Sequence, residues 1–325
     1  MRIGVWKAKN PATSVQIYTE QVVKGLESFG HQIVFFGQAD AVPEVDIIWD
    51  PSCTGARYPN RKILQTDIPW IVTLHGASNL SMPLKYNFPT FGSQVKGVLI
   101  NLRRRLMWSW YKYKVAHVIT VSAYAKEELV QELGIYPTQI SVIYHGYDDV
   151  LFHKQSGEKS YLLHVSVYQS KKNVEAVVEA YRGIREPRWP LVIVCPGFPA
   201  PVTDSNITIH TTPMNRKQVA GYMKEAYAFI FPSLHESFGM PLVEAMACGV
   251  PLITSNTTAC PEIMGDAGMA VDPLSVADIR HAMEKIMNDS ALHDALVQKA
   301  LLRAKDFSWE KTARLHETIF RRYTE

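Results

Sequence analysis

PSLHESFGMPLVEAMACGVPLITSN, residues 232–256, is the stretch whose reading decides the fold. AYAFIF (226–231), just before it, is a short apolar run of strand type. Gly239 and Pro241 then open a helix that Gly249 closes, since proline suits a first helical turn and glycine suits an end. A second apolar run, VPLIT, follows. The result is a strand–loop–helix–strand unit carrying Glu236 on its loop and Glu244 roughly a turn and a half into its helix. Ligands of open α/β sheets bind at such strand ends, where free helix N–H groups meet anions. Taken alone, a glutamate pair of this kind reads more readily as a packing helix with two solvated carboxylates than as a ligand site.

Outward from this unit the same alternation recurs. In the first half RIGVW (2–6), QIVFF (32–36), VDIIW (45–49), WIVTLH (70–75), HVITVS (117–122) and ISVIYH (140–145) read as strands, with helices between several of them, one near 16–29. In the second half YLLHVSV (161–167), LVIVC (191–195) and ITIH (207–210) are strands, with helices near 172–182 and 216–226. Helical periodicity over 276–288 and 291–306 closes the series. Alternating βαβ units imply parallel sheets with helices on both faces. The polar stretch HKQSGEKS (153–160) reads as a linker. The expected architecture is α/β, with two doubly wound, Rossmann-like domains, 1–152 and 161–306, facing each other across a cleft, and a last segment, 307–325.

Composition agrees: 47% of the 325 residues are hydrophobic and 20% charged, as in an ordinary globular chain. Cys53, Cys195, Cys248 and Cys260 show no metal-like spacing and read as buried thiols of a reducing compartment. MRIGVWKAKN starts directly on a strand-like run, so no signal peptide is expected, and no apolar stretch reaches roughly 18 residues; a cytoplasmic location follows as the expectation. A net charge of +3 does not argue for nucleic acid. Its distribution is uneven, however. No acidic residue lies between Asp67 and Glu127, and within that span Val95, Leu99, Leu102, Leu106, Trp110 and Tyr113 recur at helical spacing beside Arg103, Arg104 and Arg105. Residues 94–115 therefore read either as a basic amphipathic helix lying on an anionic membrane or as a core-facing helix with a wet basic side.

The 232–256 stretch closely resembles the donor-binding signature of the retaining glycosyltransferases of family 4 (the group 1 transferases), an E-x7-E pair within E-G-F-G-L-P…E-A-M-A-C-G-x-P, with Ser237 where glycine is usual. AHVITVSAYAKEELVQELGIYPTQISVIYHGYDDVLF (116–152), VSVYQSKKN (165–173) and DFSWEKTA (306–313) are similar to further segments of that family. Here His145 stands for an asparagine, Ser166 for a glycine and Lys171 for an arginine. The usual Gly-Gly acceptor loop is absent, and NPATSVQ (10–16) takes its place. The resemblance implies the GT-B fold, an acceptor-side first domain, a nucleotide-sugar-binding second domain, and a last helix that crosses back to the first.

A nucleotide-sugar donor leaves as a diphosphate, so negative charge grows on phosphate as the anomeric bond breaks. Asp148-Asp149 is the one adjacent aspartate pair of the kind that holds a divalent metal, but it falls in the interdomain match, so the charge is assigned to lysines and helix N–H groups, with no metal or other cofactor. Lys172, and secondarily Lys171, follow a strand and open a helix. Ser237, Phe238, Gly239 and Met240 form the turn whose N–H groups and helix dipole face the donor. By resemblance Glu244 takes the ribose hydroxyls, Glu236 supports the transferred sugar and its developing positive charge, and His75, in the place of the family's H-D motif with Gly76 replacing the aspartate, contacts the sugar. The implied activity is retaining transfer from GDP-mannose or a UDP-sugar to a lipid-linked or polysaccharide acceptor, with details that lean towards mannosyltransferases. A nucleotide-sugar epimerase and a catalytically silent subunit binding a glycan or a partner transferase are the alternatives.

Overall fold

The computed structural model describes residues 1–53, 62–88, 90–185, 189–199 and 204–325. The chain divides into two compact units, Met1–Gly146 with Ser308–Glu325, and Tyr147–Phe307.

In chain order the first unit contains β1 (Arg2–Trp6), α1 (Thr13–Ser28), β2 (Gln32–Phe36), β3 (Ile47–Asp50), β4 (Trp70–Thr73), α2 (Ser78–Ser81), α3 (Leu84–Asn87), α4 (Phe91–Tyr111), β5 (His117–Thr120), α5 (Ala123–Leu133) and β6 (Ile140–Val142). Its six strands are all parallel, in the order β2-β1-β3-β4-β5-β6. The two-residue alternation of a strand splits the core across the sheet. Ile47, Trp49, Ile71 and Ile119 pack with Tyr18, Val22 and Leu26 of α1, whereas Ile48, Val72 and Val118 pack with Trp108 of α4 and Leu129 of α5. Chain order reverses between β1 and β3, the point at which an open parallel sheet leaves a crevice at its carboxyl edge.

The second unit contains β7 (Tyr161–Val165), α6 (Val174–Arg182), β8 (Leu191–Val194), β9 (Ile207–His210), α7 (Arg216–Glu225), β10 (Ala226–Phe231), α8 (Met240–Ala247), β11 (Leu252–Ser255), α9 (Cys260–Met264), β12 (Gly268–Val271), α10 (Val276–Asn288) and α11 (Ser290–Ala304). The parallel order is β12-β11-β10-β7-β8-β9, so its reversal falls between β7 and β10. Leu162, Ile193, Ile230 and Ile253 bury one face against Val174, Val177 and Tyr181 of α6 and Ile279 and Met283 of α10. Caps mark the helix starts: Asn215 and Gln218 form a capping box on α7, and the Ser275 hydroxyl accepts from the Asp278 N–H at the head of α10.

The last helix, α12 (Trp309–Arg321), packs on α1 within the first unit. Gly25 makes that approach possible, because a Cβ there would lie 2.3 Å from the Cβ of Ala313. Buried hydrogen bonds add direction: the Tyr18 hydroxyl lies 2.6 Å from His316 Nε2 and 2.9 Å from Thr73 Oγ1.

Candidate functional site

Lys171 and Lys172 leave the carboxyl end of β7 in a single 3-10 turn, Ser170–Lys172, and Asn173 enters α6 with φ of 58°, a left-handed value that asparagine tolerates. The Asn173 amide donates to the carbonyls of Pro232 (3.0 Å) and Pro273 (2.7 Å). The Lys171 carbonyl in turn accepts from the Leu234 N–H at 2.7 Å and the Ser233 hydroxyl at 2.8 Å. These bonds clamp the loop after β7 to the loop after β10, at the reversal point of the sheet. The clamp brings Lys172 Nζ to 2.5 Å from Glu236 Oε1, with Phe231 beneath the ammonium at 5.1 Å. Burial, the largest influence on the Glu236 carboxyl, pushes its pKa up. Lys172 and Lys171, with hydrogen bonds from Lys172 and Ser233, more than reverse this, so the group sits below the ordinary carboxylate range. Under the pair, His164 Nδ1 donates to the Ile230 carbonyl and Nε2 faces the Ser166 hydroxyl, both at 2.8 Å. Ser166, where the family has glycine, is thus part of the packing beneath the site.

Gly239 takes φ of +87° and starts α8, a conformation strained for other residues. The first helical turn leaves N–H groups of Gly239 and Met240 without intrahelical acceptors, at the positive end of the helix dipole. Ser237 is half-buried on the same loop, while the Phe238 ring is committed to packing edge-on against Phe307 at 5.9 Å. Glu244 faces a different partner from Glu236. It is 5% exposed, and Arg216 at the head of α7 reaches it with Nη2 at 3.0 Å from Oε1. Burial raises the Glu244 pKa, the Arg216 charge only partly opposes this, and Asp148 adds to the rise. Arg216 went unread in the sequence because it is 28 residues from its partner, and a long-range ion pair leaves no local pattern. Among the described residues no group of three His, Cys, Asp or Glu side chains is disposed to hold a metal ion.

In the first unit His75 follows β4 and donates from Nε2 to the Pro51 carbonyl at 2.8 Å. Tyr18 meets it edge-on at 4.9 Å, and His145 stacks on it at 5.6 Å. Burial lowers the His75 pKa to about 4, against the small upward pull of Pro51, so the ring is neutral near pH 7, with Nδ1 as an acceptor. The loop beyond it is held by a residue that sequence reading passed over. The Glu128 carboxylate on α5 accepts from the Ala77 N–H at 2.5 Å and from the Ser81 hydroxyl. At the β1/β3 reversal a cavity of about 270 Å³ is lined by Trp6, Lys7, Gln16, Glu20 and Phe35, among others, with Lys7 Nζ over the Phe35 ring at 4.4 Å.

The basic helix differs from its core-facing reading. α4 runs over Phe91–Tyr111 and buries Gly97, Asn101 and Trp108, while Val95, Leu99, Leu102, Leu106 and Trp110 are exposed. Its apolar stripe is on the surface. No helix among the described residues is long and apolar enough to cross a membrane.

Two family models match consecutive parts of the chain: Glycosyltransferase Family 4 over residues 42–150 and Glycosyl transferases group 1 over residues 152–303. The serotype-specific mannosyltransferase WbdA of Escherichia coli is 32% identical over 176 residues, an alignment covering 50% of this chain and 22% of WbdA. The chain therefore spans less than a quarter of that relative's length. A glycosyltransferase from Rickettsia africae superposes with a TM-score of 0.76 at 15% identity, covering 99% of this chain and 98% of that one. HepE of Anabaena in complex with UDP-glucose superposes with a TM-score of 0.72 at 14% identity, covering 98% and 99%. These two likenesses carry the fold, which is GT-B. With both family models in register with the two units, the chain belongs to the group 1 glycosyltransferases of family 4.

Proposed function

We propose that the protein transfers a sugar from a nucleoside-diphosphate donor to a glycan or lipid-linked acceptor, with retention at the anomeric carbon and without a metal ion. The observation that carries this reading is the Lys172–Glu236 pair at the β7/β10 reversal, with the head of α8 beside it. In this pair each charge neutralises the other. When a donor binds, Lys172 turns its charge to the diphosphate and Glu236 is released to the sugar, where it supports positive charge developing on the ring. Lys171 and the N–H groups of Gly239 and Met240 complete the phosphate cradle, and Glu244 receives the ribose hydroxyls. His75, neutral and with Nε2 already bonded, serves as a hydrogen-bond acceptor for a sugar hydroxyl rather than as an acid.

Similarity to mannosyltransferases such as WbdA favours GDP-mannose as donor, and the likeness to HepE keeps UDP-sugars in the panel. The cavity at the β1/β3 reversal suits the acceptor: Trp6 and Phe35 offer aromatic surface to a sugar ring, and Gln16 and Glu20 offer hydroxyl partners. The test is incubation with a panel of nucleotide sugars in EDTA, following release of free nucleoside diphosphate. Release from one donor, unchanged by the chelator, is expected. Turnover lost in EDTA and restored by magnesium or manganese contradicts the lysine assignment, and no release from any donor favours the silent-subunit alternative.

Two observations support work on a reducing, cytoplasmic membrane face. All four cysteines are buried free thiols, and α4 exposes its apolar stripe beside Arg103 and Arg105. Co-sedimentation with vesicles containing anionic lipid is expected, weakening as salt shortens the screening length to about 10 Å near 0.1 M. Replacing Arg103, Arg104 and Arg105 together by serine should abolish it with circular dichroism unchanged. Vesicle binding that survives this replacement, or is absent from the parent protein, removes the membrane role of α4.

A further inference from the structure

We propose that Arg216 is a positioning residue for the donor nucleotide, acting through Glu244 by holding its carboxylate as a fixed anion ready for the ribose hydroxyls. The proposal rests on the donor-site reading above and adds a residue that the family signature does not contain.

The geometry is specific. Glu244 sits in the middle of α8, where Leu242, Val243, Ala245, Met246 and Ala247 are all buried with it. A carboxylate in such surroundings is costly without a counter-charge and protonates instead. Arg216 is its ion-pair partner, at 3.0 Å. The guanidinium is itself held in place by the Phe152 ring, 5.2 Å away, and by its position as first residue of the capped helix α7. Asp148 opposes ionisation of Glu244, so Arg216 acts against both burial and a like charge. Of the other cations around α8, Lys224 of α7 and Lys159 act on Cys248 at the end of that helix. β10 and β11 carry no basic or acidic side chain; Arg303 of α11 is turned to the carbonyls of Ile263 and Glu262 on α9; His293 of α11 is bonded to the Tyr227 carbonyl; and burial keeps Cys248, at the end of α8, a thiol.

Protonation matters because of what ribose requires. An ionised carboxylate accepts from two neighbouring hydroxyls at once, while a carboxylic acid spends one oxygen as a donor. Arg216 thus sets the pH down to which Glu244 can hold ribose. It does so without touching the ligand, and its 3.0 Å bond to Oε1 also fixes the plane of the carboxylate.

The test is calorimetric titration of GDP-mannose and UDP-glucose into the full chain from pH 5 to 8.5, where the diphosphate diester of a nucleotide sugar does not change charge. Four proteins are compared, the parent, Arg216→Met, Arg216→Lys and Glu244→Gln, each checked for folding by circular dichroism. The parent should lose affinity on an acid limb as Glu244 takes up a proton. In Arg216→Met that limb should move up by one pH unit or more and affinity at pH 7 should fall at least tenfold, with Arg216→Lys restoring most of both. Glu244→Gln should bind weakly and show no limb. Parent-like affinity in Arg216→Met, or a loss by the same factor at every pH, overturns the positioning role alone. Failure of the parent to bind any nucleotide sugar removes the donor-site reading and this proposal with it.

Discussion

Lys172→Ala is expected to lower kcat/KM by on the order of 3 kcal/mol, more than a hundredfold, with KM rising and kcat falling together. Both parameters move because the ammonium meets the diphosphate in the bound donor and meets more charge on it as the glycosidic bond breaks. The variant has a second effect, on Glu236. That carboxyl is buried and held below its ordinary pKa chiefly against burial by Lys172, with Lys171 assisting. Removing the cation lets burial dominate, so the Glu236 pKa rises and activity that depends on its charge is lost from the acid side first. The residual activity of Lys172→Ala should therefore fall off at a higher pH than that of the parent. Lys172→Arg, which keeps the charge but replaces a compact ammonium by a planar fork, should recover part of the loss. Steady-state kinetics over pH 5 to 8.5 checks all three statements.

The second large effect separates the two glutamates. Glu244→Ala removes ribose contacts that are nearly equal in ground and transition states, so the damage should appear as weaker binding of donor and of free nucleoside diphosphate. Glu236→Ala should chiefly lower kcat, on the order of a hundredfold, while nucleoside diphosphate affinity changes little or improves, because Lys172 is then free for phosphate. Kinetics with calorimetric titration of the free nucleoside diphosphate reads the split. If Glu236→Ala abolishes nucleotide binding, or Glu244→Ala leaves it untouched, the two roles are reversed.

Much of the fold was legible because its signals are local. QIVFF, ITIH and AYAFIF are strands over the predicted residues, and α10 spans 276–288 as its periodicity indicates. The helix after Gly239 starts and stops where its Pro and Gly place it, within two residues. β12, GMAV after a glycine-containing turn, lacked the β-branched run that announces a strand and was passed over. Periodicity also had a blind side at α4. It identified an apolar stripe, but a stripe facing a core and one facing solvent share the same 3.6-residue repeat, and only the structure shows Leu99 and Leu106 at 64% and 63% exposure. The candidate site divides in the same way. Lys172, Glu236 and Glu244 could each be named from motif context, yet their pairing spans 64 residues in one case and brings in the unread Arg216 in the other. Likewise Gly76 was visible as a departure from the family pattern, whereas the tie from Glu128 to Ala77, across 51 residues, that holds the loop beyond it was not.

The most direct measurement of the central claim is a crystal structure of the protein with a bound nucleoside diphosphate, grown in EDTA. The predicted result has phosphate oxygens against Lys172 Nζ and the N–H groups of Gly239 and Met240, ribose hydroxyls on the Glu244 carboxylate, and Glu236 parted from Lys172. A nucleotide seated elsewhere, or one whose ribose lies away from Glu244 while Lys172 keeps its 2.5 Å bond to Glu236, would contradict it.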